Sequence, residues 1–181
     1  MRTRFFILII LILISNFYQS QDVRNDLKFD VRFEEDALLS TVKIENLNQS
    51  KVSLKNGTYH ITNDVQDGEI SIKDGKITGT FTAKKSFENT KENKTSQSVI
   101  QYTIKDSWIT NYTKHIDNIL SVEAKRENLR VSLRSYYPNQ KLAAESWISI
   151  DKKKNYGTGL TKKYYEDGTP QSLRNTILET Y

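Results

Sequence analysis

Apolar and polar side chains alternate along most of the chain, the pattern of strands with one face buried and one wet. Leu27, Phe29, Val31 and Phe33 are apolar, with Lys28, Asp30 and Arg32 between them, and Glu34-Glu35-Asp36 ends the run. Val42 and Ile44 alternate with Thr41, Lys43 and Glu45. Val52 and Leu54 lead to Asn56-Gly57, read as a two-residue hairpin, and Tyr59 and Ile61 continue beyond it. Asp67-Gly68 and Asp74-Gly75 supply two further turn signals, with Ile70 and Ile72 between them and Ile77 to Phe81 after. An antiparallel meander is therefore expected.

Residues 84–98 carry one large apolar side chain, Phe87, and read as a mobile loop or a long hairpin tip. Alternation resumes at Val99 to Ile104. Residues 113–126 fit both periods: Ile116, Ile119 and Leu120 suit a helix, Leu120, Val122 and Ala124 a strand. A strand over 121–125 is favoured, with room for a helical turn before it near His115 to Asn118. Leu129, Val131 and Leu133 alternate cleanly.

Near its end the chain repeats itself. Ser135-Tyr136-Tyr137-Pro138-Asn139-Gln140 is echoed 28 residues later by Lys163-Tyr164-Tyr165-Glu166-Asp167-Gly168. Gly168 tolerates the positive φ of a tight turn; Gln140 does not do so freely, so a wider turn is expected in the first copy. Adjacent tyrosines in a strand face opposite sides, which places one of each pair in the core and the other outside. Tyr136 to Leu142 and Gly159 to Gly168 resemble the bacterial variant of MORN repeats, and Asp74 to Phe81 resembles a more degenerate copy. The resemblance implies an elongated sheet of hairpins that serves as a scaffold or interaction platform, and it implies no reaction.

Arg2 and Arg4, ten apolar residues from Phe5 to Ile14 and a polar exit ending near Ser20 make a secretory leader. The apolar run falls short of the roughly 20 residues that span a bilayer. The organisation expected is a leader over 1–20, cut or kept as a tether, a β-meander region over 21–128 and MORN-like hairpins over 129–181. The chain has no Cys, which removes disulfides, thiolate nucleophiles and cysteine metal sites together. Its net charge of +5 is concentrated after Lys125.

Catalytic chemistry finds little support. His60 and His115 are far apart in sequence, and a metal site needs three or four convergent ligands. No Gly-x-Ser-x-Gly elbow occurs. Glu34-Glu35-Asp36 and Asp64, Asp67, Glu69 lack the spacing of a calcium loop. No catalytic residue, metal or cofactor is expected. The candidate interaction face is Tyr137, Trp147, Tyr156 and Tyr165, rimmed by Lys153 and Lys163. The function expected is an exported, non-enzymatic interaction or scaffold module of the cell envelope or exterior, binding a protein or an envelope polymer. A peripheral binder of anionic lipid or polysaccharide, using its basic tyrosine-rich half, is the alternative, with an envelope-acting hydrolase behind it. Export makes nucleic acid a poor partner.

Overall fold

A computed structural model describes residues 22–31, 41–90, 93–151 and 156–179. The expected leader, the Glu34-Glu35-Asp36 cluster and Lys153 lie outside them. The described residues contain strands and turns and no helix. The strands are β1 (Asp22–Arg24), β2 (Leu27–Asp30), β3 (Lys43–Asn46), β4 (Gly57–Thr62), β5 (Gln66–Lys73), β6 (Lys76–Asn89) and β7 (Lys94–Lys105). They continue with β8 (Trp108–Ile116), β9 (Ile119–Glu127), β10 (Arg130–Tyr136), β11 (Leu142–Asp151), β12 (Tyr156–Tyr164) and β13 (Pro170–Glu179).

Ten of these, β4 to β13, follow one another as an antiparallel meander in a single sheet, and β1 adds to the outer edge of β4 in parallel. The mainly β, antiparallel meander expected from the alternation is thus the architecture found. The sheet runs without interruption through residue 128, where Glu127 pairs with Arg130. β2 and β3 form a separate hairpin that covers part of the large sheet.

The cover is built from the alternation noted at Leu27, Phe29, Val42 and Ile44, all of which are buried. Phe29 stacks on Phe81 at 4.1 Å between ring centroids, and Phe81 stacks on Tyr102 at 4.4 Å. Tyr102 meets Tyr112 edge-on at 5.5 Å. Polar side chains fasten the cover at its margin. The Gln66 amide receives the Phe29 N–H at 2.8 Å and donates to the Phe29 carbonyl at 3.0 Å, imitating a neighbouring strand. Asn63 donates to the Leu27 carbonyl at 3.0 Å.

Several local expectations are corrected. Asn56-Gly57 is not a hairpin turn, because residues 52–55 form no strand and β4 begins at Gly57. Val52 and Leu54 pack against the core, while the Asn56 side chain accepts the Asp74 N–H at 2.9 Å. Asp67-Gly68 lies inside β5, and the turn falls earlier, where the Asn63 N–H donates to the Gln66 carbonyl. Gly68 is needed for a different reason: a Cβ there would overlap Phe81 Cβ and lie 2.7 Å from the Thr80 carbonyl oxygen. Asp74-Gly75 is a turn as expected, with φ of 51° and 72°.

Of the two readings of 84–98, the hairpin tip is the one found and the mobile loop is not: the β6–β7 pairing runs from Lys84 opposite Val99 to Asn89 opposite Lys94. The tip's inward positions on β7 are the small, buried Ser96 and Ser98, which leaves Phe87 as its one large apolar side chain before Val99. Residues 113–126 are strand, with Asp117 and Asn118 (φ 50° and 67°) as the two-residue turn between β8 and β9.

One cross-strand row explains where the core stops. Directly paired residues share a face of the sheet, and registers link Ile61, Gly68, Phe81, Tyr102, Tyr112, Ala124, Leu133, Ser146, Thr161 and Arg174 from β4 to β13. The row is apolar and buried as far as Ala124, half-buried at Leu133, and polar from Ser146 onward. Ser146 and Thr161 hydroxyls bond each other at 2.7 Å, and Arg174 is exposed. Val131, Ile148 and Ile150 extend burial somewhat further on this inner face.

Candidate interaction face

The repeated sequence is a repeated structure. Each copy ends a strand at a register shift, between Ser135 and Tyr136 and between Lys163 and Tyr164. Each then turns identically. The Tyr137 N–H donates to the Lys141 carbonyl and the Gln140 N–H to the Tyr137 carbonyl; Tyr165, Thr169 and Gly168 reproduce both bonds within 0.1 Å. Asn139 accepts the Lys141 N–H at 3.0 Å, as Asp167 accepts that of Thr169 at 2.8 Å. The wider turn expected in the first copy is therefore wrong. Gln140 occupies the glycine's place at φ 64°, while Gly168 sits at 96°. The Gln140 side chain reaches the Leu120 carbonyl at 3.3 Å, a local bond that accompanies the strained backbone.

The two turns also stack. Tyr137 donates its hydroxyl to the Tyr164 carbonyl at 2.7 Å, and Lys141 Nζ donates to the Asp167 carbonyl at 3.1 Å. Neither tyrosine of a pair enters the core, contrary to expectation. Tyr136 donates to Glu123 at 2.5 Å and Tyr164 to Glu145 at 2.7 Å, each across the adjoining strand pair. Burial and then the Glu123 bond hold the Tyr136 phenol above its ordinary pKa; for Tyr164 the Glu145 bond comes first. Tyr137 is half-buried and Tyr165 exposed. Asp167 is held below the usual carboxylate range by the Thr169 N–H and hydroxyl.

The six candidate residues do not share one face. Trp147 lies on the outer face of β11, opposite the buried Ile148. Lys163 pairs with Ala144 and Ser172, which puts it on the inner face. Tyr137 and Tyr165 mark the turn end of the sheet. Tyr156 is placed opposite Asp151 by its backbone, with its side chain outside the described part, and Lys153 is outside altogether.

What the structure does gather on the outer face is another row: Asn111, Lys125, Ser132, Trp147, Leu160 and Asn175. Beside it runs Thr113, Glu123, Arg134, Glu145, Lys162 and Leu173. Trp147 is 38% exposed, Leu160 46% and Leu173 60%. Lys162, not Lys163, stands over the Trp147 ring at 5.4 Å, a cation–π distance. Trp147, Arg134, Glu123 and Asn111 border an open cleft of about 440 Å³. Charges on this face alternate: Arg134 approaches Glu123 at 3.5 Å, and Lys125 pairs with Glu127 at 2.6 Å.

Elsewhere His60 lies 2.9 Å from Asp67 and 3.8 Å from Glu69 on exposed strands. Among the described residues no group of three or more His, Asp or Glu side chains converges as a metal site would require. No protein-family model matches the chain, and no curated protein or solved structure gives a significant match to it.

Proposed function

We propose that the protein is an exported interaction module of the cell envelope or exterior, built on MORN-like hairpins and binding a protein or envelope polymer through the outer face of β9–β13. One observation carries the reading. As the inner row turns polar at Ser146, Thr161 and Arg174, the outer face of the same strands exposes Trp147, Leu160 and Leu173. Exposed aromatic and aliphatic side chains flanked by charge are the composition of a binding surface. The leader-like start, Arg2 to Ser20, supports export.

This face favours a mixed polar–apolar partner over a purely anionic one, because Glu123, Glu145 and Glu127 sit among its cations. Purified protein titrated onto an envelope fraction should bind saturably, and Trp147→Ala should weaken binding at least tenfold with the far-ultraviolet spectrum unchanged. Equal binding by Trp147→Ala would remove this face from the account. A steep loss of binding with added salt would instead favour anionic lipid or polysaccharide.

A further inference from the structure

The two ends of the large sheet differ. At one end β1 offers three residues, with Arg24 tied to Asp26 at 2.7 Å immediately after them. At the other, β13 is a ten-residue strand paired to β12 along its length and to no other strand among the described residues. Between Pro170 and Leu178 its one charge is Arg174. Long, sparsely charged edges are templates for pairing, and proteins that keep an edge unpaired shorten it or place lysines on it. β13 has neither protection, although Pro170 blunts its first residue.

We propose that β13 pairs antiparallel with β13 of a second copy of this chain about a twofold axis through Asn175, joining the two sheets. Pairing nearly the whole of Pro170–Glu179 with its copy requires an axis at the middle of the strand, at Arg174 or Asn175. A twofold axis normal to the sheet keeps inner face with inner face only when one residue lies on the axis. An axis at Arg174 would set Arg174 against Arg174, and like charges directly opposite are unfavourable. An axis at Asn175 sets Arg174 opposite residue 176, Leu173 opposite residue 177 and residue 171 opposite residue 179. The outer-face row of Trp147, Leu160 and Asn175, and the neighbouring row that ends at Leu173, then both continue across the seam. Because the same edge serves both copies, association closes at a dimer and does not propagate into a fibre.

The absence of Cys makes the register directly readable. Single variants Leu173→Cys, Asn175→Cys and Ile177→Cys of the full chain are oxidised mildly and resolved on a non-reducing gel, alongside sedimentation of the parent chain. Directly opposed residues lie about 4.5–5.5 Å apart between Cα atoms, within disulfide reach. Residues 173 and 173 of the two copies would be four positions out of line, roughly 13 Å apart. The expected result is a dimeric parent and cross-linking at 175 at least about tenfold faster than at 173 or 177, given that reach. A monomeric parent at tens of micromolar would overturn the proposal. So would equal cross-linking at all three sites, or a maximum elsewhere. Sedimentation needs no outside partner, so its failure leaves the envelope-binding proposal standing.

Discussion

Phe81 and Ser146 occupy the same cross-strand row, yet they stand in different kinds of protein. Around Phe81 the sheet is one layer of two, with Phe29 above and Tyr102 beside. Around Ser146 the row has become a ladder of hydroxyls, and the strands are joined end-on by stacked turns. The first region gains stability from apolar area removed from water, the second mainly from backbone pairing and turn-to-turn hydrogen bonds. The lesson is that one continuous meander can change its means of support midway. Beyond the cover the inner row is polar, and the opposite face of the same strands carries Trp147 and Leu160.

Removing the stack should give the largest effect. Phe81→Ala, in a side chain 2% exposed, is expected to cost about 3–5 kcal/mol and to shift the whole unfolding transition in urea. A smaller, confined effect is expected in the hairpins. Gly159 pairs with Ile148, and a Cβ there would overlap the Trp147 carbonyl oxygen and lie 2.7 Å from Ile148 Cα. Gly159→Ala should cost roughly 1–3 kcal/mol. Limited proteolysis should cut β11–β13 while β4–β8 stay intact. If both variants produced the same single transition and the same cleavage pattern, the two regions would not differ as described.

Turn chemistry sharpens the contrast. Gln140→Gly should stabilise the hairpins by about 1 kcal/mol by relieving the left-handed conformation, with Gly168→Gln costing a similar amount. Thermal melts of the pair would show opposite signs. Tyr137→Phe removes the hydroxyl donated to Tyr164, and about 1 kcal/mol should be lost. The smallest effect belongs to Asp117. It accepts the Gln97 N–H and the Ser96 hydroxyl and lies 3.3 Å from Lys94, which hold its carboxyl below the usual range. With the folded pKa lowered, its contribution is present above the unfolded value of about 3.9 and lost as pH falls through the folded one. Asp117→Asn should therefore lower stability modestly at pH 7 and throughout the range above about pH 4, with the variant and parent curves converging as the pH falls below that.

The alternation of Leu27, Phe29, Ile70, Ile72 and Tyr102 made the strands legible because one covered face forces a period of two. The repeat at Tyr136 and Tyr164 was legible as a repeat, but its turns were not: Gln140 takes the left-handed conformation that the sequence reserved for Gly168. Asn56-Gly57 misled because a turn-forming pair is a local preference, while Val52 and Leu54 are held by the core. Gly68 misled for the opposite reason: its need is steric and comes from Phe81 on another strand. The partner of Trp147 was missed by one residue. Lys162 and Lys163 look alike in sequence, and only the register that pairs Trp147 with Leu160 decides which faces it. Glu123 and Glu145 were invisible as tyrosine partners because they lie 13 and 19 residues away.

Native-state hydrogen exchange, followed residue by residue at concentrations low enough to keep the chain monomeric, tests the division most directly. Amides of β6 and β7 should open only with global unfolding, while those of β12 should open at a clearly lower free energy. Protection of β12 equal to that of β6 would contradict it.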